Sequence, residues 1–457
     1  MPEKQEKQPE QETQQPEPEA KVEEEQPKEE AKKEEEAAPA AEPPKEMRAV
    51  VLTAFGGLKS VKTQKKPEPS PQEGEILVSV SHCGLNFQDL MARQGAIDAP
   101  PKTPFILGSE CAGEVVQVGA GVENFQVGQR VVCLPEFRAW AELVCVPARL
   151  AFALPDDVTN EEAAALAMNA LAAYMLLFQV AGLSEGQSVL LHSAGGGIGL
   201  AIAQLARTKE NVTLIGVASK SKHEAIKDHF DHLLERGCDY VSEVRKISPD
   251  GVDLVLDCLC LEDCNRGYSL LKPMGKYVLY GSSNVVTGET KSFFSVARSW
   301  WQVDKVSPIK LFDENKTIAG FNLRHLLRTP AGAERARAAM EKVMELWKNK
   351  VIKPIIDSSW ALEDVPEAMQ VMHDRKNIGK LILNPALEPK PRPATPAKKG
   401  SKEEKSKKKD KEEKKDEKKE EKPAENGDSS DKKEEEEEKK EPEAKQEDEK
   451  AAEKADS

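Results

Sequence analysis

Between Met47 and Val146, apolar and polar positions alternate with the two-residue period of half-buried strands. The runs are Arg48-Ala49-Val50-Val51-Leu52, Glu75-Ile76-Leu77-Val78-Ser79-Val80, Gly113-Glu114-Val115-Val116-Gln117-Val118, Gln129-Arg130-Val131-Val132-Cys133 and Ala141-Glu142-Leu143-Val144-Cys145-Val146. Gly56-Gly57, Pro67, Pro69, Pro71, Gly74, Gly119, Gly121 and Gly128 punctuate them as turns. Many short strands with glycine turns predict a β-rich, barrel-like lobe.

The period changes after Pro155. Residues 163–180 carry apolar positions at helical spacing. Strands and helices then take turns: Ser188-Val189-Leu190-Leu191-His192, a helix from Gly197 to about Thr208, a strand over 212–217 and a helix from about Lys222. Further buried strands read Val252-Asp253-Leu254-Val255-Leu256-Asp257 and Gly275-Lys276-Tyr277-Val278-Leu279-Tyr280, followed by a helix over 333–349 and a strand over 380–383. Such alternation predicts a parallel sheet covered by helices, so the fold class is α/β with a second, β-rich part.

Composition divides the 457 residues differently. Residues 1–46 are nearly all Glu, Lys, Gln, Pro and Ala, and residues 386–457 are Lys/Glu-rich, so both are expected to be disordered tails. The formal net charge of -14 owes much to the acidic first tail, and no basic stripe for nucleic acid interrupts the core. The tails either keep the chain soluble or bind through local charge blocks. The N-terminus lacks the basic-then-apolar order of a signal peptide, and eight scattered cysteines fit reduced thiols, so a cytoplasmic place is expected. The apolar stretch 163–183 approaches membrane-spanning length, but Asn169, Tyr174 and Gln179 and its high Ala content favour a buried helix or helix pair.

Candidate chemistry starts where the strand ending at His192 runs into Ser193-Ala194-Gly195-Gly196-Gly197-Ile198-Gly199 and an apolar helix. A tight turn feeding a helix N-terminus presents amide hydrogens and positive potential to a pyrophosphate. In register with G-x-G-x-x-G the three positions are Ala194, Gly196 and Gly199, with Ala in place of the first glycine. The next strand ends in Gly216-Val217-Ala218-Ser219-Lys220-Ser221-Lys222. No acid is present there to hold a ribose 2′-hydroxyl; Ser219 can hydrogen-bond a 2′-phosphate and Lys220 or Lys222 can neutralise it, so NADPH is the expected cofactor. The plain alternative is a solvated lysine loop.

The core resembles the quinone-oxidoreductase subfamily of the medium-chain dehydrogenases/reductases. Cys83-Gly84-Leu85-Asn86-Phe87-Gln88-Asp89-Leu90, Leu107-Gly108-Ser109-Glu110-Cys111-Ala112-Gly113, the glycine turn and Asn377-Ile378-Gly379-Lys380 carry the likeness. A closer likeness to vesicle-associated members rests on Leu256-Asp257-Cys258-Leu259-Cys260 and on the stretch from Tyr280-Gly281-Ser282 to Ser299-Trp300-Trp301. The resemblance implies a GroES-like catalytic domain over 47–170, returning over 319–385, with a Rossmann domain over 171–318 between. It further implies a homodimer, peripheral association with vesicle membranes, and NADPH-dependent reduction of quinones or enones. On this reading Asn86 serves the catalytic end, while Gly281, Ser282 and Lys380 lie along the cofactor.

Zinc-dependent relatives place cysteine and histidine where this chain has Asn86 and Ser109, both poor zinc ligands, so no metal site is expected. Cys258, Cys260 and Cys264 are expected to be small apolar residues at a strand end. Met91, Ala172 and Cys260 replace residues usual near the nicotinamide, and Met168, Phe321, Trp300 and Trp301 are expected in the core or a dimer interface. These departures leave a second reading open: an NADPH-binding interaction protein with little or no turnover.

Overall fold

The structure, a computed structural model, describes residues 45–286 and 307–391. The expectation of disorder for residues 1–44 and 392–457, and the placement of Trp300 and Trp301, fall outside the described residues. The chain begins with β1 (Glu46–Leu52), β2 (Val61–Pro67), β3 (Glu75–Leu85), α1 (Phe87–Arg93), β4 (Phe105–Ile106), β5 (Cys111–Val118), β6 (Arg130–Cys133), β7 (Leu143–Pro147) and β8 (Ala151–Ala153). Next come α2 (Asn160–Tyr174), β9 (Ser188–His192), α3 (Gly197–Ala206), β10 (Thr213–Ala218), β11 (His232–Glu235), β12 (Val252–Asp257), β13 (Leu271–Leu279) and β14 (Thr317–Gly320). After the helix Pro330–Lys348, β15 (Ile356–Trp360) and β16 (Lys380–Leu383) complete the strands.

Two large sheets result. Residues 188–320 supply a six-stranded sheet in the order β11-β10-β9-β12-β13-β14, every neighbouring pair parallel. That is the doubly wound order, with its switch point between β9 and β12, where the crevice beyond the strand ends receives ligands. The other sheet runs β15-β16-β3-β5-β6-β8, with β7 also on β3. In it β16 lies antiparallel to β3, Leu381 opposite Leu85, so the chain returns after the parallel sheet to the sheet it built first. Two expected edges shift. Glu46, assigned to the tail, pairs with Pro67 in β1, and β14 holds Ala319 and Gly320 in the parallel sheet beyond the expected limit at 318.

Helix α2 ties the sheets together. Its start is a reciprocal cap: Thr159 Oγ1 accepts from the Glu162 amide at 3.1 Å and Glu162 Oε2 accepts from the Thr159 amide at 3.1 Å. Such a cap contributes about 1 kcal/mol. The helical segment 160–181 is long and apolar enough to cross a membrane, with mean hydropathy 1.7, yet 72% of its apolar window is buried in the protein. It packs on α3 and on β3, β5, β6 and β16, the setting of a core helix. Gly182 ends it at φ 65, its amide donating to Leu177 O.

Candidate functional site

A cavity of about 500 Å³ lies beyond the C-terminal ends of β9, β10 and β12. Gly195, Gly196, Gly197, Ile198 and Gly199 line it, as do Ser219, Lys222, Gly281, Ser282, Asn86 and Lys380. Eleven of the twelve expected site residues thus share one wall system. Ala194 is the correction: it is fully buried and off the cavity wall, its amide donating to Val217 O at 3.1 Å. His192 and Ser193 on one side of it, and Gly195 to Gly199 on the other, do line the cavity, with Ser193, a non-glycine residue at φ 58, turning the chain between them. Helix α3 then starts at Gly197, so the amides of its first turn have no partner within the helix and face the expected anion site. A methyl at Gly199 would sit 2.6 Å from Ser193 O and 2.7 Å from Ala194 O, both backbone, so only glycine permits this approach of helix to turn.

Lys222 crosses beneath the turn. It is only 8% exposed, and its Nζ donates to Asn377 O, which uses one of three donors. Burial, with help from the nearby Arg236 and Arg375 guanidinium groups and against Asp357, lowers its pKa to about 8. Arg236 and Arg375 line the same cavity. The residue reading missed both. Arg236 directly follows β11, the strand next to β10, just as Ser219 directly follows β10, and that position was a usable signal. Burial and Arg236 lower the pKa of Arg375 from its usual value.

A second cluster forms on the other sheet. Lys380 Nζ donates to Asn86 Oδ1 at 2.6 Å and to Glu110 Oε2 at 2.5 Å, and Asn86 Nδ2 donates to Glu110 Oε2 at 3.2 Å. Glu110 Oε1 accepts from the Met168 amide of α2 at 2.6 Å. Lys380 is 2% exposed and Glu110 fully buried, so this is a desolvated ion pair whose remaining lone pairs are hydrogen-bonded. Gly84 makes it possible: a Cβ there would lie 2.2 Å from Glu110 Oε2 and 2.9 Å from Ala164 O. Asn86 also caps α1, its amide donating to Asp89 Oδ2 at 2.8 Å. Burial pushes the Asp89 carboxyl up to about 7, against the Asn86 hydrogen bond and Lys380. Glu110 was missed as a site residue, although a lone acid before an apolar strand calls for a buried partner.

The segment 377–380 joins the clusters. Asn377 O takes the Lys222 ammonium, the Gly379 amide donates to Gly195 O at 3.1 Å, and Lys380 reaches Asn86 and Glu110. Two further expectations are settled by the lining. Met168 and Phe321, expected in the core or an interface, pack on the core and also line the cavity, as Met91 and Ala172 do. Cys260 does not line it, whereas Cys258 does. Among the described residues no group of three or more His, Cys, Asp or Glu is placed to hold a metal ion.

Comparison with known proteins matches this geometry. The alcohol dehydrogenase GroES-like domain family matches residues 72–156, and the zinc-binding dehydrogenase family matches residues 226–383. Human synaptic vesicle membrane protein VAT-1 homolog-like is 55% identical over 358 residues, 78% of this chain and 85% of that protein. A crystal structure of the human VAT-1 homolog-like protein aligns at 50% identity and TM-score 0.67, covering 75% of this chain and 99% of that one. A quinone oxidoreductase of Pongo abelii is 27% identical over 350 residues, 74% of this chain and 98% of that protein. A mycobacterial protein solved in complex with NADPH is 28% identical with TM-score 0.64, covering 74% of this chain and 100% of that one.

Proposed function

The chain belongs to the quinone-oxidoreductase subfamily of the medium-chain dehydrogenases/reductases, beside the VAT-1 homologs, and from that premise we propose that it reduces quinones or other conjugated carbonyls with NADPH and without zinc. The observation that carries this reading is the charge at the end of β10. Ser219 stands where an NAD site has a carboxylate, and Lys222, Arg236 and Arg375 converge beside it on the cavity wall. Three cations and a hydroxyl suit a 2′-phosphate, while the first turn of α3 suits the pyrophosphate. NADPH, when bound, supplies a hydride for an electrophilic carbon.

The protein's own part is orientation and charge stabilisation. Asn86 Nδ2 spends one hydrogen on Glu110, and Lys380 spends two of three on Asn86 and Glu110. One N–H on each is left for an oxygen that gains negative charge, and the buried Glu110 holds both donors in place. Gly281 and Ser282 line the cofactor side. The donor set does not suit zinc. Asn86 and Ser109 replace thiolate and imidazole, and the nearest carboxylate, Glu110, is already committed to Lys380 and the Met168 amide.

Two associations accompany this reading. A homodimer is supported by β14, the last strand of the parallel sheet, beside which Met274, Ile309 and Phe312 stand 78%, 71% and 80% exposed. Light scattering across a concentration series should give twice the chain mass. The names of the VAT-1 relatives support a place at vesicle membranes, and the burial of the apolar segment 160–181 within the protein favours peripheral association from the cytoplasm over a span. Turnover is tested by following NADPH absorbance with a panel of quinones and enones. Consumption of NADPH with at least one class is expected. Tight NADPH binding with no consumption would replace the reductase by an interaction protein that holds the nucleotide.

A further inference from the structure

Cys260 and Cys264 lie just off the cavity wall with their sulfurs 3.9 Å apart. Cys83, Cys111, Cys133 and Cys145 are buried, whereas these two are half-buried. Cys260 closes the turn after β12 at φ 65 and Leu261 follows at φ 66, two successive non-glycine residues in the left-handed region. Backbone held there costs of order 1–3 kcal/mol per residue and persists where surrounding contacts demand it. The helix Glu262–Ser269 begins next, with Cys264 in its first turn and the Cys264 amide donating to Leu261 O at 3.0 Å. Cys260 therefore faces the positive end of a helix and a neighbouring thiol that donates to it. The Cys264 hydrogen bond brings the Cys260 thiol down to about 7 against its burial, and the same contact pushes the Cys264 thiol up.

We propose that Cys260 and Cys264 are a redox-active dithiol, converted reversibly to an intrachain disulfide by hydroperoxides. The Cys260 thiolate attacks one peroxide oxygen. An S–O bond forms, the O–O bond breaks, and the second oxygen leaves with its electron pair and takes up a proton as water or an alcohol. Cys264 sulfur then attacks the Cys260 sulfenic acid. The S–S bond forms, the S–O bond breaks, and the hydroxide leaves with the Cys264 proton as water. The pair loses two electrons and the peroxide gains them; a dithiol reductant reverses the step by exchange.

Closure from 3.9 Å to a bond of about 2.05 Å must be absorbed by the turn 258–261. That turn is held from both sides. Asp257 accepts from the Leu259 amide at 2.6 Å and the Cys260 amide at 3.2 Å, and Cys258 O accepts from the Ser283 amide at 2.8 Å. Cys258, Leu259 and Ser283 line the cavity, so the dithiol state is felt there.

The test uses the full chain, reduced, exposed to graded hydrogen peroxide, alkylated with iodoacetamide, digested and mapped by mass spectrometry. Cys258, Cys260 and Cys264 share the tryptic peptide 247–266, so variants assign the bond. Alkylation at Cys260 and Cys264 should be lost together, both in the unaltered chain and in Cys258→Ser, and dithiothreitol should restore it. In Cys264→Ser, dimedone should trap a sulfenic acid at Cys260. Before peroxide, Cys260 should alkylate roughly three-fold faster than Cys238 at pH 7, the gain in thiolate being partly offset by lower nucleophilicity. Tandem fragmentation of the unaltered peptide needs no variant and keeps the test valid should one misfold. Cys260 and Cys264 still fully alkylated at doses that oxidise Cys238, or a bond made through Cys258, would overturn the proposal.

Discussion

The two sides of the cleft solve opposite electrostatic problems. At Asn86, Glu110 and Lys380 the charges are removed from water and paired, and each polar contact is made within the protein. Around Ser219 the charges are cations of one sign, with Lys222 nearly buried, Arg375 half-buried and Arg236 exposed. A paired cluster is stable without a ligand and fixes geometry. An unbalanced one is held out of water and among like charges: burial first, then the neighbouring guanidinium groups, lowers the pKa of Lys222 and of Arg375, so the cluster gains most when an anion arrives. Position is thus built into one side and affinity into the other.

The sharpest break in this contrast comes from the paired side. Lys380→Ala leaves Glu110 charged and buried without its partner, and urea denaturation should show a loss of about 3–5 kcal/mol. A loss below about 1 kcal/mol would mean that the pair is already open to water. Asp89 gives the next effect. Its folded pKa of about 7 lies above the ordinary 3.8, so the unfolded chain ionises first and stability falls as pH rises between those values. Asp89→Asn should therefore match the unaltered protein near pH 4, gain steadily to pH 7 and then hold an advantage of about 2–4 kcal/mol by thermal or urea denaturation. An advantage independent of pH would contradict it.

The unbalanced side should respond through the ligand. Lys222 carries its charge below its pKa of about 8, so NADPH affinity should weaken as pH rises past that value, by about ten-fold, while NADH affinity stays level. Calorimetry at a series of pH values reads this directly, and parallel curves for the two nucleotides would refute it. The smallest effect is at Arg236. Arg236→Gln should change unfolding stability by no more than about 0.5 kcal/mol, because the side chain is exposed, yet weaken NADPH several-fold. A stability change larger than the affinity change would reverse the roles assigned to the two sides.

The two sides also differed in how far they could be read from the chain. The glycine turn, Ser219 and Lys222 all fall within residues 193–222, and local chemistry was enough to find them. Ala194 was misplaced because a motif register specifies spacing, not which way the turn faces. The paired cluster joins Asn86, Glu110 and Lys380, and Lys380 is 270 residues from Glu110. No periodicity reports a contact of that range, so Asn86 and Lys380 came from family likeness and Glu110 was overlooked. The same holds for strands. β1, β9, β12 and β16 showed clear apolar runs, whereas β2, Val-Lys-Thr-Gln-Lys-Lys-Pro, is an edge strand with one buried residue and carried no signal. Met168 and Phe321 look like core residues because they are; that a core face also lines a cleft is visible only in three dimensions.

The central claim is that the cations beside Ser219 select a 2′-phosphate. Isothermal titration of the full chain with NADPH and with NADH, repeated on Lys222→Ala, tests it most directly. The account predicts clear preference for NADPH in the unaltered protein and loss of about ten-fold in NADPH affinity, with NADH unchanged, in the variant. Equal affinity for both nucleotides in the unaltered protein would contradict it.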